Sequence, residues 1–305
     1  MSTQSNAIPE SRVQAQAVAP TVIGETQRLY WSIRRELWEN RSIYVGPVAV
    51  AVVVFCAFSI SAILGIWEPQ LRLVPSRPQM PYDMAAGALM LTGIIVSVFY
   101  CLDALHGERR DRSILFWKSL PVSDVTTVLA KASIPLIVVP LLTFAVAIAM
   151  QWMMLLVSSA VLLMSGQSAA TLWRNLPLAS MWLLLLYHLI TAHAIWPFPV
   201  YCWLLLVSGW ARRATFLWAA LPLVAIAAVE GIVFRTRYFA ELVGRRFIGD
   251  APAMHLAPDS MGLDPLTTHL TVGRFLASPG LWVGFAIAAI FLVVAVRLRR
   301  DQGPI

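Results

Sequence analysis

MAAGALMLTGIIVSVFYCLDAL (residues 84–105) and SIPLIVVPLLTFAVAIAMQWMMLLV (133–157) are apolar runs, and ERRDRSILFWKSLPVSD (108–124) sits between them. Each run is long enough to cross the hydrocarbon core of a bilayer, which takes roughly 20 mostly apolar residues in a helix. The linking segment is one dense run of charge. That contrast predicts helices in lipid joined by a short loop in water. Four more apolar stretches follow the same rule, at 45–66, 180–207, 214–233 and 281–296. The last is short, so it is expected to begin inside the preceding loop, near Gly273 or Phe275.

Composition agrees. The 305 residues are 59% hydrophobic and 13% charged, whereas soluble domains carry about 25% charged residues. The reading is an all-α integral membrane protein with six transmembrane helices. Residues 1–23 lack an apolar core and read as a disordered cytoplasmic tail without a cleavable signal peptide. Residues 24–44 read as an interfacial helix, 45–298 as the membrane domain, and 299–305 as a cytoplasmic tail. Cys56, Cys101 and Cys202 fall inside spans with no CxxC spacing, and read as small buried apolar residues.

Arginine and lysine set the orientation. The larger share of the 23 basic residues falls on the side of the termini: the segment before span one, the 108–124 loop with Lys131, Arg212 and Arg213, and Arg297, Arg299 and Arg300. Both termini are therefore expected in the cytoplasm. The outer loop between spans five and six is an exception, rich in arginine, but long loops are weak topological signals. The net charge of +7 follows from this inside bias and suits anionic lipid. No basic stretch forms a soluble domain, so no nucleic-acid partner is expected.

In GETQRLYWSIRRELWENRS (24–42), Thr26, Leu29 or Tyr30, Ile33 and Leu37 recur at helical spacing on one face. Arg28, Arg35, Glu36 and Glu39 fall among the polar remainder, and Trp31 and Trp38 suit a headgroup boundary. Gly46-Pro47 is expected to turn the chain into the bilayer. Asp103 lies about one turn inside the cytoplasmic end of span two, where a carboxylate needs a partner. Arg109, Arg110 and Arg112 are nearest in sequence, so an ion pair is expected. Glu230, near the outer end of span five, is expected to pair with Arg235 or Arg237.

In the 108–124 loop, mixed charge gives way to Ser113-Ile114-Leu115-Phe116-Trp117, and Val122-Ser123-Asp124 offers an N-cap. An apolar patch rimmed by charge marks a protein contact. The competing reading folds the same residues onto the membrane surface. Pro135, Pro140, Pro197, Pro199 and Pro222 imply kinks or freed carbonyls in spans three to five. His188 and His193 are five apart and point in different directions, which does not suit a metal site.

Taken together, the membrane-surface helix, six spans and GERRDRSILFWKSLPVSD (107–124) resemble the ABC-2 type transporter permease family. LLLVSGWARR (204–213), FLW (216–218), SPGLW (278–282) and VRLRR (296–300) are similar too. The resemblance runs from Gly24 to Ile305. It implies an ABC-2 type transmembrane domain with an elbow helix and a coupling loop at 106–126. It also implies short re-entrant helices on the outer side, within 235–280. In the coupling loop Glu108, Arg109, Arg110, Arg112, Phe116, Trp117 and Lys118 would contact a cytosolic ATPase. The 235–249 stretch is more charged than a buried re-entrant helix, and reads as an outer amphipathic helix or gate.

There is no GxxxxGK[ST] phosphate loop, and the only lysines are Lys118 and Lys131. ATP and Mg would therefore belong to a partner ATPase, and no enzyme activity, catalytic residue, metal or cofactor is expected in this chain. The implied protein is an exporter subunit, a homodimer in a bacterial inner membrane, paired with that ATPase. Its substrate class, whether lipid, peptide, antibiotic or polysaccharide precursor, stays open. An ion-coupled secondary transporter would be expected to show a repeat and midplane carboxylates, and a non-transporting membrane anchor would need only spans and a docking loop.

Cysteines placed at Ser113 or Ser119 should resist a membrane-impermeant maleimide added to intact cells. Efficient labelling there would reverse the orientation.

Overall fold

The computed structural model describes residues 24–67, 79–119, 122–248, 273 and 275–301. The expected disordered tail (1–23) and the centre of the outer loop (249–272) lie outside the described residues. Every regular element among the described residues is helical. Helix α1 (Glu25–Glu39) leads into α2 (Ser42–Trp67), and α3 (Met80–Asp103) into the short α4 (His106–Arg110) and α5 (Ser113–Ser119). Helix α6 (Asp124–Ser133) continues through a π-helical turn (Ile134–Val138) into α7 (Val139–Met164). Then come α8 (Ala169–Asn175), α9 (Leu178–His188), a second π-helical turn (Leu189–Ile195) and α10 (Phe198–Trp210). Helix α11 (Thr215–Val229) ends in a third π-helical turn (Glu230–Phe234), followed by α12 (Tyr238–Ile248) and α13 (Pro279–Asp301).

Among the described residues, six helical segments are long and apolar enough to cross a membrane: Ser42–Gly65, Met80–Arg110, Asp124–Met164, Leu178–Ile195, Thr215–Phe234 and Pro279–Asp301. Helix α3 is the spine. It packs against α2, α7 and α10, while α10 packs along α13 and α2 along α7. Small residues allow this close approach, as is usual in lipid, where interhelical packing replaces the hydrophobic drive. Ala85, Ala86, Gly93 and Ser97 of α3 are all buried. A Cβ on Gly93 would meet Thr143 Oγ1 at 3.0 Å and His193 Cε1 at 3.1 Å. Two apolar clusters stack along this spine. One gathers Ile43, Tyr100, Ile134, Tyr201 and Leu205, and the other Tyr82, Leu89, Met150, Met154 and Leu189.

The segment Asp124–Met164 has 41 residues, roughly 60 Å of helix at 1.5 Å per residue. That is about twice the ~30 Å hydrocarbon core. Part of it must therefore stand clear of lipid, and α6 carries the polar residues that would do so. Pro135 lies inside the π-helical turn that joins α6 to α7, where irregular bonding absorbs its missing N–H.

Several expectations from sequence need correction. The stretch 180–207 is not one continuous helix: Trp196 and Pro197 form a turn that separates α9 and its π-helical extension from α10. Pro197 has no N–H to give the His193 carbonyl four residues back. The hydroxyl of Tyr201 donates to that carbonyl instead, at 3.0 Å, and the Trp196 N–H reaches Thr191 O at 2.8 Å. The last span does not start near Gly273 or Phe275. It starts at Pro279 and gains its length at the other end, through Arg297, Arg299 and Arg300 to Asp301. Gly46-Pro47 does not turn the chain. Asn40 closes α1 by donating its N–H to Glu36 O at 3.0 Å, and Ile43 N–H returns to Asn40 O at 3.1 Å, so α2 runs through Pro47. Cys101 and Cys202 are buried, but Cys56 is exposed on α2.

Tyr201→Phe leaves the His193 carbonyl without a donor. It should lower thermal stability in detergent by about 1 kcal/mol, the usual cost of an interior hydrogen bond in such bundles. An unchanged melting temperature would mean that another donor takes its place.

Candidate functional site

The side chains that organise one end of the bundle are charged and buried. On α1, the face formed by Leu29, Ser32, Ile33, Glu36 and Leu37 turns towards α6. Glu36 is 1% exposed, so it does not lie with the polar remainder of the helix, as the residue pattern predicts. Position 36 falls three residues after Ile33 and seven after Leu29, inside the apolar stripe. A carboxylate there has lost water and must be paired.

The pairing is dense. Glu36 Oε1 accepts from Lys131 Nζ at 2.8 Å and from Arg35 Nη2 at 2.7 Å. Its Oε2 accepts from the Tyr100 hydroxyl at 2.8 Å. Lys131 Nζ also lies 3.1 Å from Glu108 Oε1, which accepts from Arg35 Nη2 at 3.0 Å. Glu108 Oε2 accepts from Arg299 Nη1, and Arg299 Nε donates to Asp124 Oδ1 at 3.1 Å. Glu36, Glu108 and Asp124 thus face Arg35, Lys131 and Arg299. The formal charges cancel, and five elements (α1, α3, α4, α6 and α13) meet there. Burial pushes the Glu36 carboxyl up, but the Lys131 ammonium and Arg35 outweigh it and leave the carboxyl below its ordinary range. Its folded pKa is depressed, so the contact contributes its stability above the ordinary carboxylate pKa and loses it as pH falls through the folded value.

A second set of bonds ties the loop to the end of α10. Ser208 Oγ accepts from the N–H groups of Leu105 and His106, at 3.0 and 2.9 Å. Arg109 Nη1 donates to Gly209 O at 2.6 Å, and His106 Nδ1 donates to Ala211 O at 3.1 Å. A Cβ on Gly209 would meet Leu105 Cδ1 at 3.3 Å. Ser123 caps α6, accepting from Thr126 N–H at 3.1 Å.

These bonds divide the loop residues singled out from sequence. Glu108 and Arg109 are buried, so they build the loop's foundation and do not offer a surface. Arg110, Asp111, Arg112, Leu115, Phe116 and Lys118 are exposed. Ile114, 1% exposed, anchors α5 from beneath, while Leu115 and Phe116 are 59% and 60% exposed. Arg112 makes the turn between α4 and α5 at a positive φ of 57°. Lys118 Nζ donates to Arg300 O at 3.2 Å. Trp117 lies in α5, with its side chain outside the described residues. Asp103 is exposed, 3.7 Å from Arg110 Nη1. Sequence reading missed Glu36, Lys131, Arg299 and Tyr100. The available signals were the register of Glu36 within the apolar stripe and a lysine two residues before an apolar run.

On the opposite side of the bundle, Glu230 is not paired with Arg235 or Arg237 among the described residues. It accepts from Thr236 Oγ1 at 2.9 Å and from the N–H groups of Tyr238 and Phe239 at 2.7 and 2.8 Å. It therefore caps α12, because unsatisfied N–H groups at a helix start attract a carboxylate. Arg246 of α12 stacks on Trp196 at 4.2 Å and donates to Trp196 O at 3.2 Å. Trp196 Nε1 donates to Arg245 O at 2.8 Å. Beneath α12 lies an apolar cavity of about 760 Å³, walled by Val200, Trp203, Pro222, Leu242, Ile287 and Phe291. Among the described residues no cluster of His, Cys, Asp or Glu could hold a metal ion.

Comparison with protein-family models, with curated proteins and with solved structures finds no match for this chain.

Lys131→Met should destabilise the protein by ~3–5 kcal/mol, because it strips a buried carboxylate pair of its shared cation. Lys118→Met, at the exposed lysine, should change stability by no more than about 0.5 kcal/mol. Thermal unfolding in detergent separates the two; equal losses would show that the cluster is not the anchor.

Proposed function

We propose that this chain is the permease subunit of an ATP-driven transporter, most simply an exporter, whose ATPase is a separate cytosolic protein. The observation that carries the reading is the mounting of α5. Its exposed apolar ridge, Leu115 and Phe116, is rimmed by Arg110, Arg112 and Lys118. Directly behind it, Ile114 and the Glu108 cluster tie the loop to α1, α6 and α13, and Ser208 and Gly209 tie it to α10. A push on α5 is thereby delivered to several helices at once. That is what a membrane subunit needs if it is to receive mechanical work from a partner.

In this reading α1 is the elbow helix, α4 and α5 form the coupling loop, and the termini and loop face the cytoplasm of a bacterial cell. ATP and Mg act in the partner. A second copy of the chain completes the pathway, which agrees with the sparse coverage of the α2 and α11 spans within one chain. The apolar cavity beneath α12 offers a hydrophobic or amphiphilic cargo a lining of matching chemistry. Asp103 and Glu230 are engaged by Arg110 and by the start of α12, which gives an ion gradient little to act on.

The purified chain should hydrolyse no ATP alone. Leu115→Ala with Phe116→Ala should weaken recovery of the partner ATPase roughly 30-fold, the equivalent of ~2 kcal/mol for an interfacial anchor, with membrane insertion intact. Unchanged recovery and transport would remove the docking role of α5. Transport by the lone chain following an imposed proton gradient, and lost in Asp103→Asn, would replace this reading with a secondary transporter.

A further inference from the structure

Helix α1 has a second face, opposite Glu36. Trp31, Arg34 and Trp38 follow one another at helical spacing, and Arg41 extends the row into the turn before α2. All four are exposed. The Arg34 guanidinium lies 5.2 Å from the Trp31 ring and 5.6 Å from the Trp38 ring. The row ends at a groove of about 500 Å³ lined by Leu37, Trp38, Arg41, Tyr44, Val138 and Leu142. Its floor, Leu37, Val138 and Leu142, is aliphatic, and its rim carries a guanidinium, a phenol and an indole N–H.

The charge of this face is one-sided. Glu36 and Glu39 are engaged by Arg35 on the other side of the helix. Among the described residues, neither Arg34 nor Arg41 forms an ion pair with a carboxylate. The groove also sits where the chain passes from polar α1 into apolar α2, the depth at which Trp, Tyr and Arg favour a membrane–water boundary.

We infer that this groove is a binding site for an anionic phospholipid: the phosphodiester sits between Arg41 and the Tyr44 hydroxyl, and an acyl chain lies on Leu37, Val138 and Leu142. A phospholipid is the ligand that joins an anion to an aliphatic chain in the geometry the groove presents. An unpaired arginine supplies charge and directional donors to phosphate. Arg34, held between two indoles, adds positive potential, and no carboxylate among the described residues is ion-paired with it. Val138 belongs to the π-helical turn, so lipid in the groove also braces the junction of α6 and α7. The inference rests on α1 lying along a membrane surface, and not on the transport reading.

The test is native mass spectrometry of the full chain, purified in detergent with equal phosphatidylglycerol and phosphatidylcholine. The wild type should retain phosphatidylglycerol preferentially. Arg41→Gln should cut that preference roughly fivefold, the factor equivalent to the ~1 kcal/mol that one arginine contributes near an anionic surface. Tyr44→Phe should cut it less, and Arg41→Lys should keep most of it. Leu142→Trp fills the groove with Arg41 in place and should lower retention of both lipids; it carries the test if the charge variant does not fold. Arg213→Gln, an exposed arginine elsewhere, should change nothing. Equal retention of the two lipids by the wild type would overturn the site. So would indifference to both Arg41→Gln and Leu142→Trp, or an equal loss in Arg213→Gln. A lipid-free dimer dissociated by Arg41→Gln would assign the groove to a second copy instead.

Discussion

A carboxylate removed from water must find cations within hydrogen-bonding distance, and at one end of this bundle two of them share a single lysine. Lys131 Nζ lies 2.8 Å from Glu36 and 3.1 Å from Glu108, and the rest of that end is arranged to complete their shells. Arg35 bridges the same two carboxylates, Tyr100 takes the remaining oxygen of Glu36, and Arg299 extends the chain to Asp124. Such a cluster adds little net stability over a well-packed apolar core, since desolvation offsets attraction. Its effect is one of specification. Lys131 and Glu108 each hold more than one buried partner of opposite charge, which ties α1, α4, α6 and α13 to one register.

That constraint explains why the loop after α3 has two faces with different tasks. Glu108 and Arg109 point inward and are consumed by the cluster and by the end of α10. Leu115 and Phe116 point outward from α5, over Ile114. The apolar ridge thus stands on a foundation of short charged bonds that ties it to the helices beneath it. The same logic holds at the far end with weaker means. There Glu230 holds the start of α12 through backbone N–H groups, and Arg246 holds its end against Trp196 and the beginning of α13.

Proline and π-helical turns supply the irregularity between these two ends. Pro197 frees the His193 carbonyl, and Tyr201, buried among the helices, satisfies it. Because lipid offers no water to freed backbone groups, a break in a span survives only where another helix brings a donor. The break between α9 and α10 sits where Tyr201 of the next helix can bring one.

Much of this protein was legible in its sequence. The six apolar lengths, the amphipathic helix before them and the charged loop after span two follow from local hydropathy, which a bilayer reads segment by segment. Ser123 at the start of α6 is equally local, because a cap acts over three residues. The inward turn of Glu36 was not legible, although its register hinted at it, since its meaning depends on Lys131, 95 residues away. Nor was the burial of Glu108, whose partner Arg299 lies 191 residues on. Whether a charge in such a chain is surface or core depends on which distant cation reaches it. Hydropathy along the chain therefore determined which segments are long and apolar enough for lipid, and only the tertiary structure decided which charges left water and which stayed outside.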